Sequence, residues 1–254
     1  MDRREFVRTA AGVAGLVSVP WHGLEAQDTP SSHTGIKAIA FDGFVIFDPR
    51  SVEKRVEEHL PGKGAEFASL WRTRQFEYCW LRTAGDQYAD FWRLTDDALR
   101  YTAKTLKISL TGAQHDALMD AYRNLTPWPD VREGLVELRR RGIRLAFLSN
   151  LTAAMLDANL RAGGLGEFFE PHLTTDRVQA YKPSPRAYQM GPDVFRLKKN
   201  EIAFAAFGAW DAAGAKWFGY PTVWVNRAGV PQEELDAQPD AIAKDFGGLI
   251  RFLG

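Results

Sequence analysis

Ile36-Lys37-Ala38-Ile39-Ala40-Phe41-Asp42 is the stretch that decides the architecture. It is short, almost wholly apolar and free of turn residues, so it reads as a buried strand. It ends abruptly at a carboxylate. After Asp48-Pro49 the pattern changes to helix: Val52–Leu60 is closed by Pro61-Gly62, and Glu66–Tyr88, Leu94–Leu106 and Thr111–Asn124 carry apolar residues at three- and four-residue spacing. No strand is evident between residues 50 and 127. Beyond Pro127 and Pro129 strands and helices alternate. Helices are predicted over Val131–Arg141, Thr152–Ala162, Arg186–Phe195, Asp211–Phe218 and Pro239–Phe252, and strands over Ile143–Leu148, His172–Thr175, Glu201–Phe207 and Thr222–Asn226.

Such alternation predicts a parallel sheet wrapped by helices. A strand-helix-strand crossover takes about 30 residues, yet Phe41 and Ile143 stand about 100 apart. The excess must be an insertion. The expected fold is therefore α/β: a Rossmann-like parallel sheet core, residues 36–49 with 128–254, carrying an inserted all-helical cap, residues 50–127. Ligands of open parallel sheets bind beyond the carboxyl ends of the strands. Asp42, Ser149, Asn150 and Asp211 fall at those ends, with Lys182 on a neighbouring loop, and a cap leaving the same edge covers them.

Composition narrows the function further. Lys plus Arg equal Asp plus Glu at 32 each, so no charge bias points to nucleic acid or an anionic membrane. The one cysteine, Cys79, excludes an internal disulfide and any cysteine-based metal cluster, and the five histidines are scattered without ligand spacing. Eight Trp and 16 Phe suggest an interior or a site rich in aromatic surface. Residues 1–30 read as a leader outside the fold. Arg3-Arg4 precede the mild apolar run Thr9–Val19, which has the form of a twin-arginine export signal. That run is about half the ~20 residues a spanning helix needs, so no membrane span is expected. Cleavage near Ala26 removes three basic and three acidic residues and leaves 29 of each, a neutral periplasmic product exported already folded.

Singly, each strand-end residue has an ordinary reading as a cap or turn former. Together and in order they say more. Phe41-Asp42 with Phe47-Asp48, then Leu148-Ser149-Asn150, Tyr181-Lys182-Pro183 and Trp210-Asp211-Ala212, resemble the ordered motifs of the haloacid dehalogenase superfamily. Two further stretches are similar to the type II (S)-2-haloacid dehalogenases within it. Leu70–Tyr78 resembles their first long cap helix, and Phe218–Thr222 with Trp224–Arg227 resembles their last core strand. The similarity runs from Ile36 to the C-terminus.

The resemblance implies hydrolysis of short (S)-2-haloalkanoic acids to (R)-2-hydroxy acids through an ester on Asp42. A carboxylate displaces halide from saturated carbon only when close, aligned and unprotonated. Lys182 supplies the positive charge that keeps Asp42 ionised. By resemblance Arg72, Asn150 and the ring edge of Trp210 receive the halide, and Ser149 with the backbone N–H groups of Gly43 and Phe44 holds the substrate carboxylate. Asp211 orients or deprotonates the hydrolytic water, and Tyr188 supports it. Other readings stay open at this point: Arg72 also suits a helix surface, Trp210 a core position and Asp211 an N-cap. A homodimer follows from the family alone.

Two positions speak against phosphoryl transfer. Superfamily phosphatases place a second Asp two residues after the nucleophile as general acid, and here that residue is Phe44. Their Mg²⁺ is held by an acidic side chain at the position of Ala206, and hard cations need oxygen ligands. No cofactor or metal is expected. The alternatives are another hydrolase of the superfamily, on a phosphate or a different small acid, and a degenerate member that binds a small carboxylate without turnover. The chain also departs from the dehalogenases. Ala206 and Gly208 stand where their pattern has Ser and Asn, and the Asp42–Asp48 spacing is one residue short, with Val45-Ile46 replacing Gly-Thr. The hydrolytic half of the mechanism thus has fewer polar supports than the displacement half.

Overall fold

The computed structural model describes residues 35–254. The expected leader and export signal lie outside the described residues. The chain enters through β1 (Ala38–Phe41), turns through α1 (Gly43–Ile46) and β2 (Phe47–Asp48), then leaves for four helices: α2 (Arg50–His59), α3 (Gly64–Ala84), α4 (Phe91–Thr105) and α5 (Gly112–Ala121). It returns through β3 (Thr126–Pro127), which pairs antiparallel with β2. The alternating half follows as α6 (Val131–Arg140), β4 (Arg144–Ser149), α7 (Ala153–Gly163), β5 (Leu173–Thr174), α8 (Pro185–Phe195), β6 (Ile202–Ala206), α9 (Ala209–Phe218), β7 (Thr222–Val225), β8 (Ala241–Ala243) and α10 (Phe246–Phe252).

Six strands make one parallel sheet in the order β5–β4–β1–β6–β7–β8. Every residue of β1 is wholly buried, as a central strand covered on both faces requires. Because β4 lies on one side of β1 and β6 on the other, the connections diverge there and open a crevice at the carboxyl ends. The α/β class, the parallel sheet and the inserted helical cap are those expected from the sequence.

Two elements differ from expectation. Pro239–Phe252 is not one helix: Ala241–Ala243 pairs with β7 as an edge strand, and α10 starts only after Asp245, whose carboxylate accepts from the Gly248 N–H at 2.8 Å. Three apolar residues carry no period, so the free edge of β7 decides their state. The β2–β3 ribbon, at two residues per strand, likewise leaves no sequence pattern.

In the cap, α3 buries Phe67, Trp71, Gln75 and Cys79, four residues apart, against its neighbouring helices. Gln75 is buried at no cost in hydrogen bonds: its Nε2 donates to Thr95 Oγ1 at 2.9 Å, and its Oε1 accepts from the Tyr122 hydroxyl at 2.6 Å. The Asp90 carboxylate and the Thr111 hydroxyl cap α4 and α5. Several hydrogen bonds tie cap and core outside the ribbon, three of them made by Tyr88 and Tyr181. Tyr181 N–H donates to Thr83 Oγ1 at 3.0 Å, Tyr181 O–H to the Ala89 carbonyl at 2.5 Å, and Tyr88 O–H to Asp176 Oδ1 at 2.6 Å.

Candidate active site

The site is built from strand ends. Asp42 extends β1 by one residue, its N–H donating to the Ala205 carbonyl at 3.0 Å. It then caps α1, with Oδ2 accepting from the Phe44 N–H at 3.0 Å. Gly43 fits because a Cβ there would come within 2.9 Å of Leu151 and 3.2 Å of Ser149 Oγ. Beyond β5, Lys182 is wholly buried and points at two acids: Nζ donates to Asp42 Oδ1 at 2.9 Å and to Asp211 Oδ2 at 2.6 Å. Its backbone N–H donates to Asn150 Oδ1 at 3.1 Å, so the turn after β4 positions the lysine. Burial by itself lowers the lysine pKa, but Asp211 and Asp42 more than reverse that and raise it, keeping the ammonium charged.

Asp211 sits in the first turn of α9, whose N-cap is Gly208, so its carboxylate is not spent on capping. It is wholly buried, with Oδ1 accepting from the Tyr188 hydroxyl at 2.7 Å. Burial pushes its pKa up to about 6, and the negative charge of Asp42 adds to this, while Lys182 and Tyr188 hold it down. Tyr188 is itself fixed through its carbonyl, which accepts from the Tyr220 hydroxyl at 2.5 Å.

Asp42 opens onto a cavity of about 530 Å³ between α3 and the carboxyl edge of the sheet, and the buried Asp211 stands behind it at that edge. Arg72, Phe76 and Trp80, four residues apart on α3, line its cap side; Phe44, Phe207 and Trp210 line its core side. Arg72 makes no salt bridge or hydrogen bond among the described residues, whereas its neighbour Arg74 is bound by Glu77 at 2.7 Å and by Tyr101. Trp210 is a wall rather than a core residue: its ring meets Phe76 at 5.3 Å and Trp80 at 5.6 Å.

The remaining expected residues stand beside the cavity rather than on its wall. Ser149 Oγ accepts from the Leu151 N–H at 3.1 Å, which leaves its own hydrogen to donate. The Phe44 N–H is already given to Asp42. Asn150 is buried, and its Nδ2 has no hydrogen-bond partner. A buried amide donor left open is costly unless something binds it. Of the two stripped positions, Ala206 is wholly buried in the core and only Gly208 borders the cavity.

Sequence reasoning missed several wall residues. Phe76 and Trp80 were findable, being one and two helical turns beyond Arg72. Trp128 was not: its Nε1 donates to the Phe44 carbonyl at 3.0 Å, and its ring lies 4.7 Å from the Arg50 guanidinium and 4.6 Å from that of Arg227. The assembly offers a cavity-facing carboxylate held by a buried lysine, a second carboxylate whose pKa is raised to about 6 and an unpaired cation, in a largely apolar cavity.

Known proteins agree with this geometry. The family model for haloacid dehalogenase-like hydrolases matches residues 21–219. An (S)-2-haloacid dehalogenase of Pseudomonas sp. (strain YL) is 43% identical over 206 residues, 81% of this chain and 89% of its own. A crystal structure of an L-2-haloacid dehalogenase superposes with a TM-score of 0.84 at 37% identity, covering 87% of this chain and 99% of its own. The Xanthobacter autotrophicus L-2-haloacid dehalogenase with chloropropionic acid covalently bound superposes at 0.79 with 31% identity, covering 86% and 98%. The chain belongs to the haloacid dehalogenase-like hydrolases, and its relatives there include (S)-2-haloacid dehalogenases.

Proposed function

We propose that the protein hydrolyses (S)-2-haloalkanoic acids to (R)-2-hydroxy acids through an ester on Asp42. The observation that carries the reading is a carboxylate open to an aromatic cavity and held at its back by a wholly buried lysine. In the first step an Asp42 carboxylate oxygen attacks C2 from the face opposite the halogen. The carbon–halogen bond breaks with its electron pair on the halide, and C2 inverts. Arg72 and the edge of Trp210 lie on the cavity wall where that charge develops, and the open Nδ2 of Asn150 is a further donor. The Ser149 hydroxyl and the Gly43 N–H hold the substrate carboxylate.

In the second step water adds to Asp42 Cγ as Asp211 takes its proton. A base whose pKa lies near 6 is well matched to that task at neutral pH. The Cγ–O bond to the substrate then breaks, the departing oxygen takes the proton from Asp211, and Asp42, carrying one oxygen from water, releases the second water proton to solvent and is again a carboxylate. Phe44, on the cavity wall, has no proton to give a leaving alcohol, which argues against phosphate esters.

Halide release from (S)-2-chloropropionate, with and without EDTA and beside a generic phosphate ester, tests the reading. The expected outcome is halide release unaffected by EDTA and no phosphate release. No halide from any chloro- or bromo-acid would sink it. A single turnover in H₂¹⁸O is expected to label Asp42 and leave the first hydroxy acid unlabelled.

The leader carries a separate proposal. Arg3-Arg4 ahead of an apolar run support export to the periplasm, tested by fractionating cells that express Arg3→Lys/Arg4→Lys, in which the product is expected to stay inside. A homodimer rests on the family resemblance, and sedimentation velocity checks it.

A further inference from the structure

The cavity in front of Asp42 is much larger than a two- or three-carbon acid needs. Its volume of about 530 Å³ falls in the range that encloses drug-sized ligands, about 300–1,000 Å³. Two aromatic groups stand on its walls, among charged residues such as Arg50, Glu53, Glu77 and Arg227. Phe44, Phe207 and Trp128 form one, with ring centroids 6.0 and 6.5 Å apart. Phe76, Trp80 and Trp210 form the other, at 5.3 to 6.2 Å. Gly208 separates them. A Cβ there would stand 2.7 Å from Trp210 Nε1, so the missing side chain is what lets the indole lie flat against the loop and keeps the floor open. At the rim, Trp80 and Val230 line the cavity while remaining 39% and 49% exposed. Large apolar side chains left in water beside a reactive carboxylate mark a surface meant to be covered.

We infer that the preferred substrates are 2-haloacids whose C2 substituent is a large apolar group, aryl or long alkyl, seated between the two aromatic walls with its far end under Trp80. This rests on the dehalogenase reading for its chemistry but not for its pocket. The carboxylate of such a substrate meets Ser149 and the Asp42 turn, and the apolar end replaces water along Phe76 and Trp80. Ring-on-ring contact and burial of apolar area both favour the larger substituent.

The test compares kcat/KM for halide release from (S)-2-bromopropionate, (S)-2-bromohexanoate and (S)-2-bromo-3-phenylpropionate. The two larger acids are expected to exceed the first by about tenfold or more, mainly through KM, since one or two buried methylenes already discriminate by that much. Trp80→Ala, an exposed position outside the reacting groups, is expected to raise KM about tenfold more for the phenyl substrate than for (S)-2-bromopropionate. Equal or smaller kcat/KM for the larger acids, or an equal loss on all three in Trp80→Ala, overturns the inference. Binding of the unhalogenated acids, read by quenching of tryptophan fluorescence, needs no turnover. If no acid releases halide but 3-phenylpropionate still binds at least tenfold more tightly than propionate, the dehalogenase reading fails and the pocket assignment stands. Equal binding of the two overturns the pocket assignment itself.

Discussion

Asp42, at the end of β1, has one oxygen on Lys182, the other on the Phe44 N–H, and keeps 9% of its surface exposed toward the cavity. Asp211, just beyond β6, has no exposed surface, and both its oxygens are taken, one by Lys182 and one by the Tyr188 hydroxyl. The same ammonium serves two acids, and their surroundings divide the work. Asp42 stands where a substrate carbon can reach it. Asp211 is buried deeply enough for its pKa to rise to about 6, which suits a group that must take a proton and return it. The difference teaches that environment, not residue type, sets the role of each carboxylate. It also shows where this chain is thinly provided. Around Asp42 the polar contacts are complete, while beside Asp211 the loop from Ala206 to Gly208 offers no side-chain oxygen or nitrogen.

The comparison breaks most visibly at Asp42. Asp42→Asn is expected to lower halide release by about 10⁴-fold or more, because Asp42 is the wall carboxylate held in place by both Lys182 and the Phe44 N–H. An active Asp42→Asn enzyme would refute the assigned nucleophile. Asp211→Asn is expected to slow turnover by about 10² to 10⁴-fold while leaving a burst of one halide per enzyme. Mass spectrometry of the quenched protein then finds the ester on Asp42, and a missing burst means that Asp211 also serves the displacement.

Acidification sharpens the same contrast. Asp211 accepts a proton only when ionised, and that form is lost as pH falls through its raised pKa of about 6. Turnover is therefore expected to fall about tenfold per pH unit below that point, with little change above it up to neutrality. The smallest effect is expected from Tyr188→Phe. The hydroxyl favours the ionised carboxylate, so its loss moves the acid limb upward by about one unit, the worth of one charge-assisted hydrogen bond. A merely structural role for Tyr188 would lower activity evenly across the pH profile instead.

Much of this site was legible because its chemistry sits at strand ends, where an apolar run stops and a polar residue must follow. Asp42, Ser149-Asn150 and Asp211 were marked in that way, and Lys182 by its place after the short β5 strand. The cavity was legible only in part. Arg72, Phe76 and Trp80 share a helical stripe, but α3 has a second stripe four residues apart, Phe67, Trp71, Gln75 and Cys79, and nothing local says which of them faces the cap interior. Trp128 and the ties from Tyr88 to Asp176 and from Thr83 to Tyr181 join residues about 80 to 100 positions apart, which no periodicity registers. The edge strand β8 was hidden for a similar reason, since its state depends on a neighbouring strand.

The sequence by itself determined the architecture and the reacting groups: a parallel sheet, a helical insertion near residues 50–127, and carboxylates at two strand ends with a lysine on a neighbouring loop. Hydrophobic period and chain punctuation are local properties, and they suffice for that. Only the tertiary structure decided that Lys182 lies within 3 Å of both acids, that Asp211 is buried enough to titrate near 6, and that six aromatic rings from distant segments enclose the space in front of Asp42. Distance, dielectric and enclosed volume are set by residues far apart in the chain, so they exist only once it has folded.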